Sequence, residues 1–276
     1  MMDVPKTFKD THPTPHFDWL WDFVLIVILL GGAYFRFTGL DWDQNQHLHP
    51  DERFLTMVET AIEPVHSISQ YFDTKLSTLN PNNRGYGFYV YGTLPLFAVR
   101  YAAEWLGETG YDQVQLVGRQ LSAVMDLGTV LVVYLIAMRL YRRRRLALLA
   151  AAFASLSVLP IQLSHYFTVD TFTNFFGMLA FYFAICLLPI GKGWEKAQVA
   201  AEDHAALEDH REGTESLSLS SITREWRSVI LYILFGAALG LAMASKINAL
   251  FLAVLLPGAV LLRYLSQPLR ERERWF

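Results

Sequence analysis

Long uninterrupted apolar runs are the feature that most limits how this chain can fold. Six such runs lie near residues 19–39, 120–140, 146–163, 170–190, 228–245 and 248–264. A helix that crosses the hydrocarbon core of a bilayer needs about 20 mostly apolar residues. The sequence therefore predicts an all-α polytopic membrane protein with about six transmembrane helices.

Composition supports this class and excludes some partners. Of the 276 residues, 53% are hydrophobic and 18% are charged, whereas about 25% of the residues in a typical soluble domain are charged. The formal net charge of -3 argues against nucleic acid as the main partner. The single cysteine, Cys186, lies in an apolar run, so an internal disulfide or a cysteine-based metal cluster cannot form.

Arginine-rich segments predict the orientation of the chain. The segment MRLYRRRRLA joins the second and third apolar runs, and short basic loops usually remain cytoplasmic. Six spans would then place both termini in the cytoplasm. We expect the protein to lie in the plasma membrane. Three features would share the extracytoplasmic side: residues 40–117, the corner that contains His165 and Asp170, and the turn at Lys246.

The same pattern divides the chain into segments. We expect a cytoplasmic tail at 1–18, a transmembrane module at 19–265 and a second cytoplasmic tail at 266–276. Within the module, 40–117 is predicted to be a long first extracytoplasmic loop with interfacial helices. The acidic, alanine-rich and then serine-rich segment 191–227 is predicted to be a solvated cytoplasmic loop.

The stretch NQHLHPDERF, at residues 45–54, places two histidines and two acids directly after the first apolar run. Pro50 followed by acids is an ordinary helix start.

Helical spacing from Asp51 reaches the apolar residues Leu55, Val58 and Ile62. The same spacing from Glu52 reaches Thr56, Glu59 and Glu63. We therefore expect Asp51 to face the buried surface, where a carboxylate needs a cation, a metal or a catalytic role, and Glu52 to face water.

A metal site is one interpretation of the residues just before this helix. Oxygen ligands suit Mg²⁺ or Mn²⁺, whereas imidazole suits Zn²⁺. Solvated loop residues with no ligand are the alternative interpretation, because Asp-x-Asp is a common pattern. The candidate ligands are Asp41, Asp43, His47 and His49.

Several other polar residues lie near predicted membrane boundaries. Tyr86 and Tyr89 precede an apolar helix of about 15 residues, which is short for a span and fits an interfacial helix. These tyrosines could lie at the lipid headgroups or line a substrate site. The neighbouring cation, Arg84, could bind a phosphate or a sugar.

Four residues near the ends of the spans are further candidates for the site. Arg119 and Lys246 could extend to the headgroups or bind an anion. Asp170 shares a helix face with Thr173, Asn174 and Gly177, which predicts a polar stripe directed into the bundle. His165 is either a neighbour of the site or a satisfied interfacial histidine.

Taken in order, these segments resemble glycosyltransferases of the GT-C fold that use lipid-linked sugars. The most similar branch contains the protein O-mannosyltransferases and aminoarabinose transferases. The resemblance extends over residues 19–265 and rests on HPDERF, RQLSAVMDLGTVLVVYLIAMRLYRRR, LSHYFTVDTFTNFF and GLAMASKINALF. It implies a polyprenyl- or dolichyl-phosphate sugar donor, an extracytoplasmic active site and an essential acid that maps onto Asp51.

On this basis we expect a hexosyl- or pentosyltransferase that acts on a hydroxyl or an amine of a protein or lipid acceptor. Asp51 would be the general base. The predicted donor-phosphate ligands are Arg84, Arg119 and Lys246. The predicted substrate-lining residues are Glu52, Tyr86, Tyr89, His165 and Asp170. Besides the donor and acceptor, the expected partners are membrane lipids and either a second subunit or a second copy of the chain. A divalent metal is the one candidate cofactor.

Two other classes of function remain open at this stage. Enzymes of this kind usually have at least twice this length, so the chain could be a fragment or a non-catalytic membrane subunit. A transporter or flippase of lipid-linked substrates could use Asp51, Asp170 and Lys246 as its pathway. The sequence shows no inverted repeat and no pair of broken helices, which argues against a transporter.

Overall fold

A computed structural model of the protein describes residues 18–189 and 219–266, and every regular element in this part of the chain is helical. Two 3-10 helices occupy Pro81–Arg84 and Ile247–Val254. The α-helices are α1 (Asp18–Phe37), α2 (Pro50–Ala61), α3 (Ile68–Phe72), α4 (Thr93–Leu106), α5 (Tyr111–Tyr141), α6 (Arg144–Ser155), α7 (Val158–Ser164), α8 (Val169–Leu187), α9 (Leu219–Ser245) and α10 (Leu255–Leu265). The predicted all-α class is confirmed.

Five segments are long and apolar enough to cross a membrane: Trp19–Phe37, Tyr111–Tyr141, Val169–Leu187, Trp226–Ser245 and Ile247–Leu265. Helices α6 and α7 form a sixth crossing if the pair, which bends by 55°, counts as one span. The prediction of about six transmembrane helices is therefore confirmed. The third span differs from the expectation, because it consists of two helices instead of one.

Hydrogen bonds between the connections place them at two ends of the bundle. At one end lie residues 38–110, the α7–α8 turn and the turn at Lys246; we call this end the Asp51 face. At the other end, the opposite face, lie the α5–α6 turn and the end of α8. The predicted tails 1–18 and 266–276, and most of the predicted loop 191–227, fall outside the described residues.

Helix α5 begins earlier than the second apolar run predicts. Its first two turns are polar in part, yet Val114, Gln115 and Val117 are buried. The two valines pack against α2 and α4, in one cluster with Leu55, Val58 and Ile62. The apolar stripe predicted on α2 is thus buried, and the first turns of α5 support the loop.

A buried ion pair joins α1, α5 and α6 inside the bundle. Arg36 Nε donates to Asp126 Oδ2 at 2.7 Å. The same guanidinium donates to the Ser155 carbonyl at 2.9 Å, at the break between α6 and α7. Irregular backbone at membrane depth requires partners within the protein. Arg36 provides such a partner, which accounts for an arginine with no exposed surface.

Candidate functional site

Asp51 and Glu52 lie in environments opposite to those that their spacing predicts. Glu52 is fully buried, whereas Asp51 is exposed. The buried arc of α2 is wider than one apolar stripe, because α5 and α4 also cover the side that carries Glu52, Thr56 and Glu59. Asp51 is the second residue of the helix and extends beyond the packed surface. The prediction that Glu52 faces water was wrong, as was the buried position expected for Asp51.

Glu52 forms one part of a buried cluster around Arg119. Arg119 Nε and Nη2 donate to the two Glu52 carboxylate oxygens at 2.7 and 2.8 Å. Arg119 Nη1 and Nη2 donate to the Asp43 carboxylate at 3.1 and 3.0 Å. Nη1 also donates to the Leu40 carbonyl at 2.6 Å. A guanidinium has five N–H donors, and these contacts use all of them.

Arg119 therefore has no donor left for a phosphate, and the role predicted for it as a donor-phosphate ligand is not supported. Glu52 is equally occupied, because its Oε1 also accepts the Phe167 N–H at 2.7 Å. Both side chains are fully buried, so neither can line a substrate site. The cluster instead links α2 to α5 and to the turn between α7 and α8.

Asp43 is held in the same cluster by further donors. Gln115 Nε2 and the Leu48 N–H donate to Asp43 Oδ2 at 3.3 and 3.4 Å. Burial by itself would raise the pKa of the Asp43 carboxyl, but the hydrogen bonds and positive charge of Arg119 outweigh burial and lower it. Asp43 is thus a charged structural residue.

Asp51 lies beside Tyr91 at the surface of the Asp51 face. Burial is the main cause of the raised pKa of the Tyr91 hydroxyl, followed by its hydrogen bond to Asp51 and by the negative charges of Asp51 and Asp170. The Tyr91 hydroxyl therefore lies near the Asp51 carboxylate. Asp170 is close enough to contribute, so the two carboxylates share one region.

Gly92 connects this region to the end of α9. Its N–H donates to the Ser245 carbonyl at 3.1 Å. A Cβ atom on Gly92 would collide with the backbone of Ala244 and Ser245. This close approach brings Tyr91, the residue before Gly92, near Lys246, the residue that follows Ser245.

Lys246 and Asp170 mark the polar end of a groove. Lys246 Nζ lies 2.6 Å from Asp170 Oδ1, and the two side chains are 37% and 47% exposed. The groove has a volume of about 560 Å³ and runs between α8 and the 3-10 helix Ile247–Val254. Thr173, Asn174 and Gly177 line it, as the polar stripe of α8 predicts, and its other walls include Phe181, Phe251 and Leu252.

Arg84 lies away from this groove. Its Nη2 pairs with Glu63 Oε2 at 2.7 Å, just beyond the C-terminal end of α2. Asp51 is at the other end of this 12-residue helix, about 15 Å or more away at a rise of about 1.5 Å per residue. The structure does not bring Arg84 and Asp51 together, so the predicted phosphate role of Arg84 lacks support.

The predicted substrate-lining tyrosines and histidine are engaged in structural contacts. The Tyr86 O–H donates to the Met57 carbonyl at 3.0 Å, and the Tyr89 O–H donates to the Gly92 carbonyl at 3.1 Å. Burial, and then the charge of Glu59, raises the pKa of Tyr89. His165 places one ring nitrogen 2.8 Å from the Ile161 carbonyl and the other 3.0 Å from the Thr38 carbonyl. These contacts hold the first loop and the α7–α8 turn in place, and none of the three residues lines the groove.

The four candidate metal ligands do not converge. Asp41 accepts the Asn45 N–H in a turn, and Asp43 belongs to the Arg119 cluster. His47 Nε2 lies 2.9 Å from Asp112 Oδ1, while His49 Nδ1 accepts the Glu52 N–H and caps α2. Among the described residues, no group of three or more His, Cys, Asp or Glu side chains is arranged to hold a metal ion. The geometry does not support the metal interpretation.

Sequence reasoning missed the Arg119 cluster, although one signal was present. Gln115 and Arg119 are four residues apart on an otherwise apolar helix, so they share a face that needs buried polar partners. Gly92 carried no such signal, because a glycine shows no periodicity.

Comparison with known proteins supplies the family. A profile described as dolichyl-phosphate-mannose-protein mannosyltransferase matches residues 60–201, slightly more than half of the chain. The chain belongs to this mannosyltransferase family. No curated protein and no solved structure matches it.

The matched segment contains some of the site and not all of it. Arg84, Arg119, His165 and Asp170 lie within it, whereas Asp51 precedes it and Lys246 follows it. Membership in the mannosyltransferase family therefore supports a glycosyltransferase with a polyprenyl-phosphate-linked sugar, and it supports a hexose over a pentose. The roles of Asp51 and Lys246 rest on the geometry described above.

Proposed function

We propose that this protein transfers a mannosyl group from a polyprenyl-phosphate carrier to a hydroxyl group of a protein acceptor at the Asp51 face. The observation that carries the proposal is the groove between α8 and the 3-10 helix Ile247–Val254. It is mostly apolar along its length and ends at Lys246 and Asp170, and the charges of Asp170 and Asp51 both act on Tyr91. An apolar groove that ends at a cation matches a lipid whose chain ends in a phosphate.

The groove suits the polyprenyl chain of the donor. Its side chains are largely aromatic and aliphatic, and it lies along helices that cross the membrane. A branched hydrocarbon chain could occupy it without leaving the bilayer. Of the three cations predicted to bind the donor phosphate, Lys246 is the one that lies at this groove.

The reaction is a displacement at the anomeric carbon of mannose. The acceptor oxygen forms a bond to that carbon, the bond from the carbon to the phosphate oxygen breaks, and its electron pair leaves with the polyprenyl phosphate. Asp51 takes the acceptor proton as general base. Lys246 stabilises the negative charge that the departing phosphate gains. Tyr91 orients Asp51, and Asp170 holds Lys246 at the mouth of the groove.

The orientation of the protein is part of the proposal. Arg142, Arg143 and Arg145 are exposed at the opposite face, and basic loops favour the cytoplasm. The Asp51 face would then be extracytoplasmic, and the plasma membrane is the location that we propose. Donor, acceptor and base would meet at that outer surface.

A transfer assay with purified protein in lipid vesicles tests this function. Radiolabelled polyprenyl-phosphate mannose and a peptide rich in serine and threonine serve as substrates, and mannosyl phosphate without a lipid chain serves as the comparison donor. We expect label in the peptide from the polyprenyl donor, and about tenfold or greater loss in Lys246→Met. Lys75→Met, an exposed lysine of the loop, is the matched control and should retain activity.

Three results would contradict the proposal, and each supports a different alternative. Donor binding without transfer indicates a non-catalytic subunit. Movement of the lipid-linked sugar between leaflets without transfer indicates a flippase. Equal transfer rates from the soluble and lipid-linked donors would show that the groove does not recognise the lipid chain of the donor.

A further inference from the structure

A second charged cavity lies at the opposite face of the bundle, far from the groove. It has a volume of about 150 Å³ and is lined by Arg139 of α5, Arg227 of α9 and Arg263 of α10. Residues 186–189, at the end of α8, and Ser228 and Leu231 of α9 form its remaining walls. Asp170 and Cys186 are 16 residues apart on α8, which separates the two sites by about 24 Å.

We propose that this three-arginine cavity binds a phosphate group at the membrane surface opposite to Asp51. No step of the proposed transfer reaction uses the cavity, so the inference stands independently of that reaction. The ligand chemistry is a phosphate that carries at least one negative charge. Such a group can come from the headgroup of an anionic lipid or from a soluble phosphate compound.

The contacts of Arg139 leave it able to bind a ligand. Its Nη2 donates to the Leu188 carbonyl at 2.8 Å and to the Cys186 carbonyl at 3.3 Å. These carbonyls are at the C-terminal end of α8, where the helix dipole is negative. Its Nε is buried and has no hydrogen-bond partner. The arginine is thus held in place while part of its guanidinium group remains unsatisfied.

The other two arginines lack a charged partner among the residues that line the cavity. Arg263 Nη1 donates to the neutral hydroxyl of Ser228 at 3.2 Å. Among the described side chains, no carboxylate lines the cavity. Three positive charges beside one small cavity repel one another, and a bound anion would remove that repulsion.

Capping of α8 by Arg139, and extension of arginine side chains to the lipid headgroups, do not explain why three arginines border one cavity. The carbonyls of α8 explain the position of Arg139. Arginines that only extend toward water would have no reason to border the same cavity, yet Arg227 and Arg263 reach it from two different helices. Guanidinium groups bind phosphate in a bidentate manner and are less strongly hydrated than an ammonium group. A volume equal to about five water molecules, at about 30 Å³ each, can hold a phosphate group.

Lipid binding to two double variants of the full 276-residue chain tests this inference. Arg227→Gln with Arg263→Gln removes two charges from the cavity. Arg142→Gln with Arg143→Gln removes two exposed charges from the same face but outside the cavity. Native mass spectrometry would measure binding of phosphatidylglycerol, with phosphatidylcholine as the neutral comparison and inorganic phosphate as the competitor.

We expect the cavity variant to bind phosphatidylglycerol about tenfold or more weakly than the unmodified protein, and the control variant to bind within about twofold. Failure of inorganic phosphate to displace the lipid would identify a lipid headgroup as the ligand. Displacement would support a soluble phosphate at the same site. Equal binding by the two variants, or unchanged binding by the cavity variant, would overturn the inference. Unfolding temperatures of both variants establish that a loss does not reflect misfolding.

Discussion

The Glu52 carboxylate accepts two hydrogen bonds from the Arg119 guanidinium, at 2.7 and 2.8 Å, and neither side chain has exposed surface. This pair fixes the start of α2 against α5. Asp51 is the adjacent residue, so the position of the proposed base depends on a buried anchor one residue away. A catalytic group is held accurately when its support is rigid.

Replacement of Glu52 by Gln tests this anchor. The substitution leaves the Arg119 charge with one carboxylate, Asp43, in a fully buried site. Removing one partner of a buried ion pair typically costs about 3–5 kcal/mol. We expect a loss of that order in the free energy of unfolding, measured by denaturation in detergent.

The matched control is Glu63→Gln, which breaks the ion pair with Arg84. The Glu63 side chain is 63% exposed, and exposed pairs contribute about 0–1 kcal/mol. A Glu52 variant that is no less stable than the Glu63 variant would show that the buried cluster does not anchor α2.

Glu59 is expected to give the protein a distinctive pH dependence. Burial raises the pKa of its carboxyl well above the ordinary value of 4.5, and the nearby charge of Arg100 only partly opposes this. The folded protein therefore keeps a proton that the unfolded chain loses above pH 4.5. Between pH 4.5 and the raised pKa of Glu59, the folded state binds more protons than the unfolded state. The contribution of Glu59 to stability therefore decreases as the pH rises from 4.5 to that pKa.

The Glu59→Gln variant should lack this decrease, since an amide of the same shape does not titrate. We expect its unfolding temperature at neutral pH to equal or exceed that of the unmodified protein, and the difference to shrink as the pH falls toward 4.5. A variant that is less stable at neutral pH would instead indicate a charged Glu59 that pairs with Arg100.

Gly92 should be essential for the geometry of the site. A Cβ atom there would collide with the backbone of Ala244 and Ser245, so Gly92→Ala must push Tyr91 away from the end of α9. A displacement of about 1 Å at an active site can reduce the rate about 100-fold. We expect a reduction of that order in mannosyl transfer, as measured in the vesicle assay.

Gly87→Ala is the control for this substitution, because a Cβ at Gly87 would meet no atom within 4 Å. That variant should retain its transfer rate. If Gly92→Ala transferred mannose as fast as Gly87→Ala, the contact between the loop and α9 would not be needed for the reaction.

The membrane architecture could be predicted from the sequence because it depends on local composition. The free energy of moving an apolar run from water into the bilayer depends on its own residues, so the number of spans could be counted without knowledge of their packing. The break between α6 and α7 was not predicted. It is stabilised by Arg36, which is more than 100 positions earlier in the chain, and contacts of that range leave no pattern in a single sequence.

The environments of Asp51 and Glu52 could not be predicted for a related reason. Counting along α2 identified the apolar stripe, but the neighbours of a helix decide how wide its buried arc becomes. Here Arg119 makes burial of Glu52 favourable by neutralising it. The same contact removed Arg119 from the predicted phosphate ligands, so one long-range ion pair changed two assignments.

The most direct test of the central claim is mannosyl transfer by the Asp51→Asn variant. The amide keeps the shape of the side chain, but it cannot take a proton from the acceptor. We predict that the variant folds, binds polyprenyl-phosphate mannose with unchanged affinity and transfers about 100-fold or more slowly, since a positioned base typically contributes about 10²–10⁴-fold. Transfer at the rate of the unmodified protein would contradict the assignment of Asp51 as the general base.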